Sequence, residues 1–429
     1  MAMSAPFPTA LLESLLPPEL HAAVRQPDPP AGSILAARRH LAGRLADLEP
    51  FVPPLISLAR RAAADPGPLP AAYVGGTLLC ADLSGFTALT AQLANSGRQG
   101  SEEVSAIINQ IFARLLQAVD AAGGAVIKFA GDAITAFFDA DRLGPAHASH
   151  AVDAALGMQQ AMHAFKAMAT SAGVFRLRLR VTVHSGMVFL GEVGDQRRRE
   201  LIVTGRSVNQ VIAAQRYAAA GEIVITPQTR ALLPGADTRD RFPDLYLLLD
   251  LPERPPPRPE RAAPPEPEPS LDGLLELAAA IQALGAYVPE GLLQRLGGAT
   301  HTAGEFRPVS VVFTHIAALG SAMAMLDDSA EAREVASVHE VLNTCYGRLQ
   351  AVLGHFGGSI NKLDMAVGGD RLMGTFGAPI AHEDDPQRAV KAALELRAAL
   401  TEIDRDTLAL LHSWREIHGL APARPARQA

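Results

Sequence analysis

The sequence predicts an α+β chain: a ferredoxin-like unit in tandem, its second copy truncated, behind a helical N-terminal segment. Three observations predict it. The order strand, helix, strand–turn–strand, helix, strand runs from residue 74 to about 233. The same order restarts near residue 308 and stops early. A Pro/Glu-rich stretch, DLPERPPPRPERAAPPEPEPS, separates the two and reads as a semi-stiff linker.

Taken in order, 1–70 is a helical N-terminal segment, with LLESLLPPELHAAVRQ broken by Pro-Pro and DPGPLP turning into the first strand. The first unit, 74–233, opens with the apolar strand VGGTLLCADL. Its first helix, 101–124, is expected to start at a Ser101 cap and to stop at Gly123-Gly124. Val104, Ile108, Ile111, Leu115 and Val119 share one face of that helix at 3.6-residue spacing. AVIKFAGDAITAFF reads as strand, tight turn, strand. FRLRLRVTVHSGMVFLGEVG alternates strictly, with Leu177, Leu179, Val181 and Val183 on one side. After the linker at 250–275, LGAYVPEGLLQRL echoes LLESLLPPELHAAV, and the second unit spans 284–402. A tail, 403–429, carries no alternating strand.

Composition bounds the function. The chain has 429 residues, 48% hydrophobic and 19% charged, enough to bury cores in two to three domains. Net charge is −7 and no basic run occurs, which argues against nucleic acid as a partner. No apolar run reaches about 18 residues, so no membrane span is expected. The N-terminus lacks the basic region of a signal peptide. Cys80 and Cys345 are isolated in apolar contexts, which fits buried thiols and a reducing, cytoplasmic location.

The chemistry concentrates at two carboxylates. Asp82 stands at the mouth of an apolar strand and Asp132 at the tip of the strand–turn–strand. In a ferredoxin-like sheet these elements lie side by side, so the carboxylates can meet. Two carboxylates with few other ligands suit Mg²⁺, which keeps positions open for phosphate oxygens. The turn Ser84-Gly85-Phe86-Thr87 offers backbone N–H groups at a helix start, a place for phosphate. Each aspartate alone reads as a turn or cap residue; the pair points to two-metal phosphoryl chemistry.

ADLSGFT, GGAVIKFAGDAITAFF, LRVTVHSGMVFLGEVG and VTGRSVNQVIAAQ, in that order over roughly 74–230, resemble the class III nucleotidyl cyclase catalytic domain. The tandem arrangement and INKLDMAVGGDRLMGTFGAP look most like the soluble, bicarbonate-responsive adenylyl cyclases, the second match covering about 308–400. The resemblance implies two domains packed head to tail, or a homologous chain in place of the second. It implies ATP as substrate, 3′,5′-cyclic AMP and pyrophosphate as products, and two ions of Mg²⁺ or Mn²⁺. Asp82 and Asp132 match the metal-binding aspartates, and the Leu83 carbonyl a further ligand. Residues 84–87 match the phosphate loop. Lys362 matches the adenine-reading lysine, a donor that suits adenine N1 and not the N1–H of guanine. Lys128 matches a pseudo-site lysine, and Asn209 the ribose and transition-state asparagine.

The sequence departs from that pattern in places. The family's transition-state arginine falls on Ala213, a base-reading polar position on Ile202, and the arginine partner of the pseudo-site lysine on Ile212. Arg206 and Arg216 are off register and read as surface charges. In the second unit Thr314-His315 stands where the first has Ala81-Asp82, so His315 reads as a pseudo-site residue. VGGDRLM resembles the turn of diguanylate cyclases, but Arg371 replaces the acidic residue that chemistry needs. His184 alternates with core positions and reads as structural. Two functions are therefore expected: an adenylate cyclase, or a catalytically weak cyclase-homology module that binds nucleotide or regulates a partner.

Overall fold

The computed structural model describes residues 9–62, 69–195, 197–241, 243–255, 270–296, 307–316, 332–364 and 370–417. Four helices come first: α1 (Thr9–Leu15), α2 (Pro18–Val24), α3 (Ala31–Leu48) and α4 (Pro54–Ala62). The first repeat follows with β1 (Ala72–Ser84), α5 (Phe86–Ala94), α6 (Gly97–Ala121), β2 (Ala125–Ala130), β3 (Ala133–Asp139), α7 (Ala140–Leu143) and α8 (His147–Ala161). It continues through β4 (Met168–Thr170), β5 (Gly173–Phe175), β6 (Arg178–Gly194), β7 (Arg199–Thr204), α9 (Arg206–Ala214), β8 (Ile223–Ile225), α10 (Pro227–Ala231), β9 (Asp237–Arg241) and β10 (Leu245–Asp250). α11 (Leu271–Gly285) and α12 (Glu290–Leu296) lead to the second repeat. That repeat comprises β11 (Ser310–Ile316), α13 (Ala332–His355), β12 (Ser359–Asp364), β13 (Asp370–Phe376) and α14 (Asp385–Ile417).

The first sheet runs β2-β3-β1-β6-β8-β10-β9, with β7 pairing β6. β1 is its centre, and successive side chains on a strand point to opposite faces. Leu79, Ala81 and Leu83 enter the core shared with α6 and α8. Leu78 and Cys80 enter a smaller core with Val208 and Val211 of α9. Both faces are therefore dry, which explains an unbroken apolar run where an alternating strand would serve a one-sided sheet. Asp82 is the next residue in the Leu78, Cys80 series, so its carboxylate lies on the α9 face where the apolar stripe ends.

The second sheet, β11-β13-β12, repeats the first locally. Cys80 lies opposite Thr135 and Thr135 opposite Lys128; Phe313 lies opposite Met373 and Met373 opposite Lys362. The register slips after Val126 in one hairpin and after Ile360 in the other. Gly123 and Gly357 end their helices at φ 79° and 77°, a left-handed turn that side chains resist. The next residues, Gly124 and Gly358, lie under the rings of Phe138 and Phe376, where a Cβ would come within 2.6 Å.

β6 joins the repeats. It pairs with β1 as far as Leu190, and near and beyond that point Phe189 and Val193 enter the core of the second repeat with Tyr346, Leu349 and Phe376. Gly194 N–H donates to Asn343 Oδ1 at 2.7 Å, and His339 Nε2 meets the Glu192 carbonyl.

Several expected boundaries move. α6 starts at Gly97, and Ser101 is inside it, its hydroxyl donating to Gly97 O rather than capping. Ile107 joins the buried face while Val104 and Ile108 stay at its margin. The first sheet extends past 233 to Asp250, because β9 and β10 add to β8. The end of the expected linker, from Leu271, is helix capped by Ser270 Oγ at Gly273 N–H, 3.1 Å. α14 runs through 402 to Ile417, so no tail begins at 403. The N-terminal segment is not separate either: Leu12, Leu41 and Ile56 share one core with Leu274, Ile281 and Val288, uniting the two stretches that echo one another. The proline-rich 256–269, the Gly368-Gly369 part of the GGD turn and residues 418–429 lie outside the described residues.

Gly124→Ala and Gly358→Ala are each expected to cost about 1–3 kcal/mol through overpacking against a buried ring, measured by denaturant unfolding. A near-neutral result at either would show that the two glycines do not play the same role.

Candidate functional site

The site forms where β1 ends. Asp82 pairs with Ala133 on one side and Arg180 on the other, and the Leu83 N–H donates to the Asp132 carbonyl at 3.3 Å. The β1–β3 register thus sets Asp82 beside the turn that carries Asp132. Leu83 is buried through its side chain, and its neighbour Ser84 pairs with Arg178. Gly85 then turns the chain at φ 95°, and α5 begins. A side chain at Gly85 would also come within 2.8 Å of Arg176 O. The first helical bond runs from Leu89 N to Gly85 O at 3.2 Å, which leaves the N–H groups of Phe86, Thr87 and Ala88 without an intrahelical carbonyl.

Electrostatics bind these groups. Arg180, across the ladder on β6, reaches Asp82 Oδ2 with both Nε and Nη2 at 2.6 Å. Asp132 is half-buried. Desolvation holds its carboxyl above the ordinary range, and the Asp82 charge pushes the same way, against its own backbone N–H and Arg180. The Asp82 charge beside the half-buried Asp132 would be relieved by a cation. Among the described residues no group of three or more His, Cys, Asp or Glu side chains could hold a metal. The donor set here is two carboxylates and one backbone carbonyl, Leu83. That set fits Mg²⁺ or Mn²⁺, whose remaining positions phosphate oxygens can fill.

Other expected residues sit elsewhere. Lys362 is half-buried on β12 of the second sheet, in the strand row of Phe313 and Met373. Lys128 crosses between repeats, its Nζ donating to Leu363 O at 3.3 Å, one residue from Lys362. Burial holds the nearby Glu200 carboxyl up despite the Arg198 and Lys128 charges. Asn209 lies in the first turn of α9, while Ala213 and Ile212 face solvent and Ile202 is buried in the second repeat's core. His315 occupies the register position of Asp82, opposite Arg371 as Asp82 is opposite Ala133. His184 is buried, with Nδ1 2.9 Å from Thr226 Oγ1. Burial pushes the Cys80 thiol up to about 11, so it stays protonated and inert.

Sequence reasoning missed Arg180. An arginine on an alternating strand reads as an outward charge, and only the β1–β6 register brings it to Asp82. It also missed Gln215, whose Nε2 donates to Cys80 O at 3.0 Å and ties the end of α9 to β1 two residues from Asp82.

Without metal, the raised Asp132 pKa means that the folded protein is favoured with Asp132 protonated. That advantage is lost as pH rises through the folded value. Metal-free Asp132→Asn should therefore melt above metal-free wild type at pH 7. Added Mg²⁺ or Mn²⁺ should raise the melting temperature of wild type but not of the variant. Equal metal-induced shifts in both would remove Asp132 from the metal site.

Residues 72–243 match the family model described as the adenylate and guanylate cyclase catalytic domain. Over 346 residues the chain is 24% identical to adenylate cyclase type 10 of Oryctolagus cuniculus, covering 76% of this chain and 21% of that protein. It is 30% identical over 133 residues to adenylate cyclase 1 of Rhizobium meliloti, 31% of this chain and 19% of that one. The chain thus spans about a fifth of these relatives' length. Among solved structures, the adenylyl cyclase CyaB of P. aeruginosa aligns at 21% identity and TM-score 0.37, over 42% of this chain and 97% of that one. A bacterial light-regulated adenylyl cyclase aligns at 18% identity and TM-score 0.38, over 48% and 59%. No described helix is long and apolar enough to cross a membrane. Residues 72–243 are thus similar to the adenylate and guanylate cyclase catalytic domain.

Proposed function

We propose that the chain is an adenylate cyclase that converts ATP to 3′,5′-cyclic AMP and pyrophosphate between its two repeats. The observation that carries this reading is that the β1–β3 register sets Asp82 beside the turn that holds Asp132, next to the amides that open α5. Asp82, Asp132 and the Leu83 carbonyl would hold two Mg²⁺ or Mn²⁺ ions. Bound there, such ions acidify the attacking hydroxyl and neutralise charge on the polyphosphate. The chain's own residues do the rest. The turn 84–87 cradles phosphate oxygens through backbone N–H groups, and the positive end of α5 favours their charge. Arg180, whose Nε and Nη2 hold Asp82 Oδ2, keeps its positive charge beside the place where phosphate would sit. Lys362 donates to adenine N1. In the reaction the ribose 3′-oxygen forms a bond to the α-phosphorus and loses its proton. The bond from that phosphorus to the bridging oxygen breaks, and pyrophosphate leaves with the electron pair.

One observation favours a second reading, a weak cyclase-homology module that binds nucleotide or regulates a partner. Ala213 has no donor for the transition state, and Ile202 is committed to a core. A missing oxyanion contact of this kind costs about 10²–10³ in rate.

Cyclic AMP formation from ATP with Mg²⁺ or Mn²⁺ separates the two. The cyclase reading expects product, and Asp82→Asn should lower the rate at least about 10²-fold with an unchanged circular dichroism spectrum. ATP binding without turnover under every metal condition supports the module instead. Lys362→Glu should shift the ATP-to-GTP preference by about tenfold or more, the worth of a charge-assisted hydrogen bond; an unchanged ratio removes Lys362 from the base pocket.

A further inference from the structure

A cavity of about 240 Å³ forms where three stretches of the chain meet. Arg198, Arg199 and Glu200 line it from the start of β7, and Phe51 from the turn after α3. Val288 and Leu292 line it from the α11–α12 connection and α12. Asp82, Asp132, Lys128 and Lys362 do not line it. The junction is tied by hydrogen bonds: Arg199 N–H donates to Ala286 O at 2.6 Å, and Arg198 Nη1 donates to Tyr287 O. Ligand pockets commonly hold about 300–1,000 Å³, so this one suits a small occupant.

Its polar wall is short of acceptors. Arg199 is 8% exposed, and its Nη1 stands 3.6 Å from Glu192 Oε2. A charge-assisted hydrogen bond spans about 2.7–2.9 Å, so this ion pair is a loose one. Among the described residues the buried Nη1 has no hydrogen-bond partner. Arg198 Nη2 stands 3.4 Å from Glu200 Oε2, again long for such a pair. Burial favours the protonated form of Glu200, against the Arg198 and Lys128 charges, which weakens the one carboxylate that lines the cavity. A buried guanidinium so poorly matched is costly to keep, and an added anion would offset that cost. The opposite wall is apolar. Phe51 there is 43% exposed, a large ring surface that a ligand could remove from water.

We propose that this cavity binds a small organic acid, with its carboxylate on Arg199 and Arg198 and its apolar body against Phe51, Val288 and Leu292. Two planar guanidinium groups suit the two oxygens of a carboxylate. A purely inorganic anion would meet the arginines and leave the apolar wall uncovered. The site rests on the cavity alone and does not depend on the cyclase reading.

The test uses the full chain, with benzoate and hexanoate as probes. Benzyl alcohol, hexanol and inorganic phosphate are the controls. Calorimetric titration at pH 7 is expected to show saturable binding of at least one acid, about tenfold or more tighter than its alcohol, the worth of a charge-assisted hydrogen bond. Phosphate should bind more weakly than that acid. On the wild-type chain, nuclear Overhauser contacts should run from the bound acid to the methyl groups of Val288 and Leu292. Arg199→Lys keeps a charge opposite Glu192 but loses the fork, and should weaken the acid about tenfold. Leu292→Trp fills the cavity with both arginines in place and should abolish binding. Should either variant fail to fold, the wild-type contacts decide. No saturable binding of either acid, an alcohol or phosphate bound as tightly as the acid, or a bound acid without contacts to those methyl groups overturns the proposal.

Discussion

The antiparallel ladder between β1 and β6 is the constraint on which the rest depends. Its register from Ala72 to Ser84 settles three separate matters. It makes β1 a central strand, dry on both faces. It places Arg180 directly across from Asp82. It also fixes which face of β6 carries Phe189 and Val193, and hence that they arrive in the second repeat's core. A slip of one residue would exchange the two faces of β6 and undo all three together.

The polar end of β1 follows from that ladder. Leu78 and Cys80 are covered by α9, and the cover ends before Asp82, so the carboxylate reaches the mouth of the site without crossing a core. Asp132 arrives through the neighbouring β1–β3 ladder. Half-buried and near a second negative charge, its carboxyl resists ionisation, and Arg180 relieves the pair only in part. That unresolved charge is what equips the site for a cation, and the open N-terminus of α5 equips the same place for an anion. A metal-bound polyphosphate, the ligand proposed above, would meet both needs together.

The internal repeat was legible because its markers are local. The Gly-Gly helix stop and the strand–turn–strand each leave a short sequence trace, and each reappears in the fold. Asp82, Asp132 and the Ser84–Thr87 turn were legible for the same reason: a carboxylate ending an apolar run is conspicuous. Arg180 and Gln215 were not, since their partners lie 98 and 135 residues away in the chain. The boundaries at 233, 275 and 402 were misplaced because short polar strands and a helix such as α14 carry weak periodic signals. The packing of α1–α4 against α11 is invisible in either stretch alone.

By itself the sequence determined the main strands and helices of each repeat, that the pattern recurs, and which carboxylates stand out of place in it. Those properties rest on spacing within a few turns or strands, where side-chain direction follows from backbone geometry. Tertiary structure alone decided that one strand serves two cores and that an arginine from β6 guards Asp82. Each of these depends on strand register between distant segments, and register is a property of the assembled sheet.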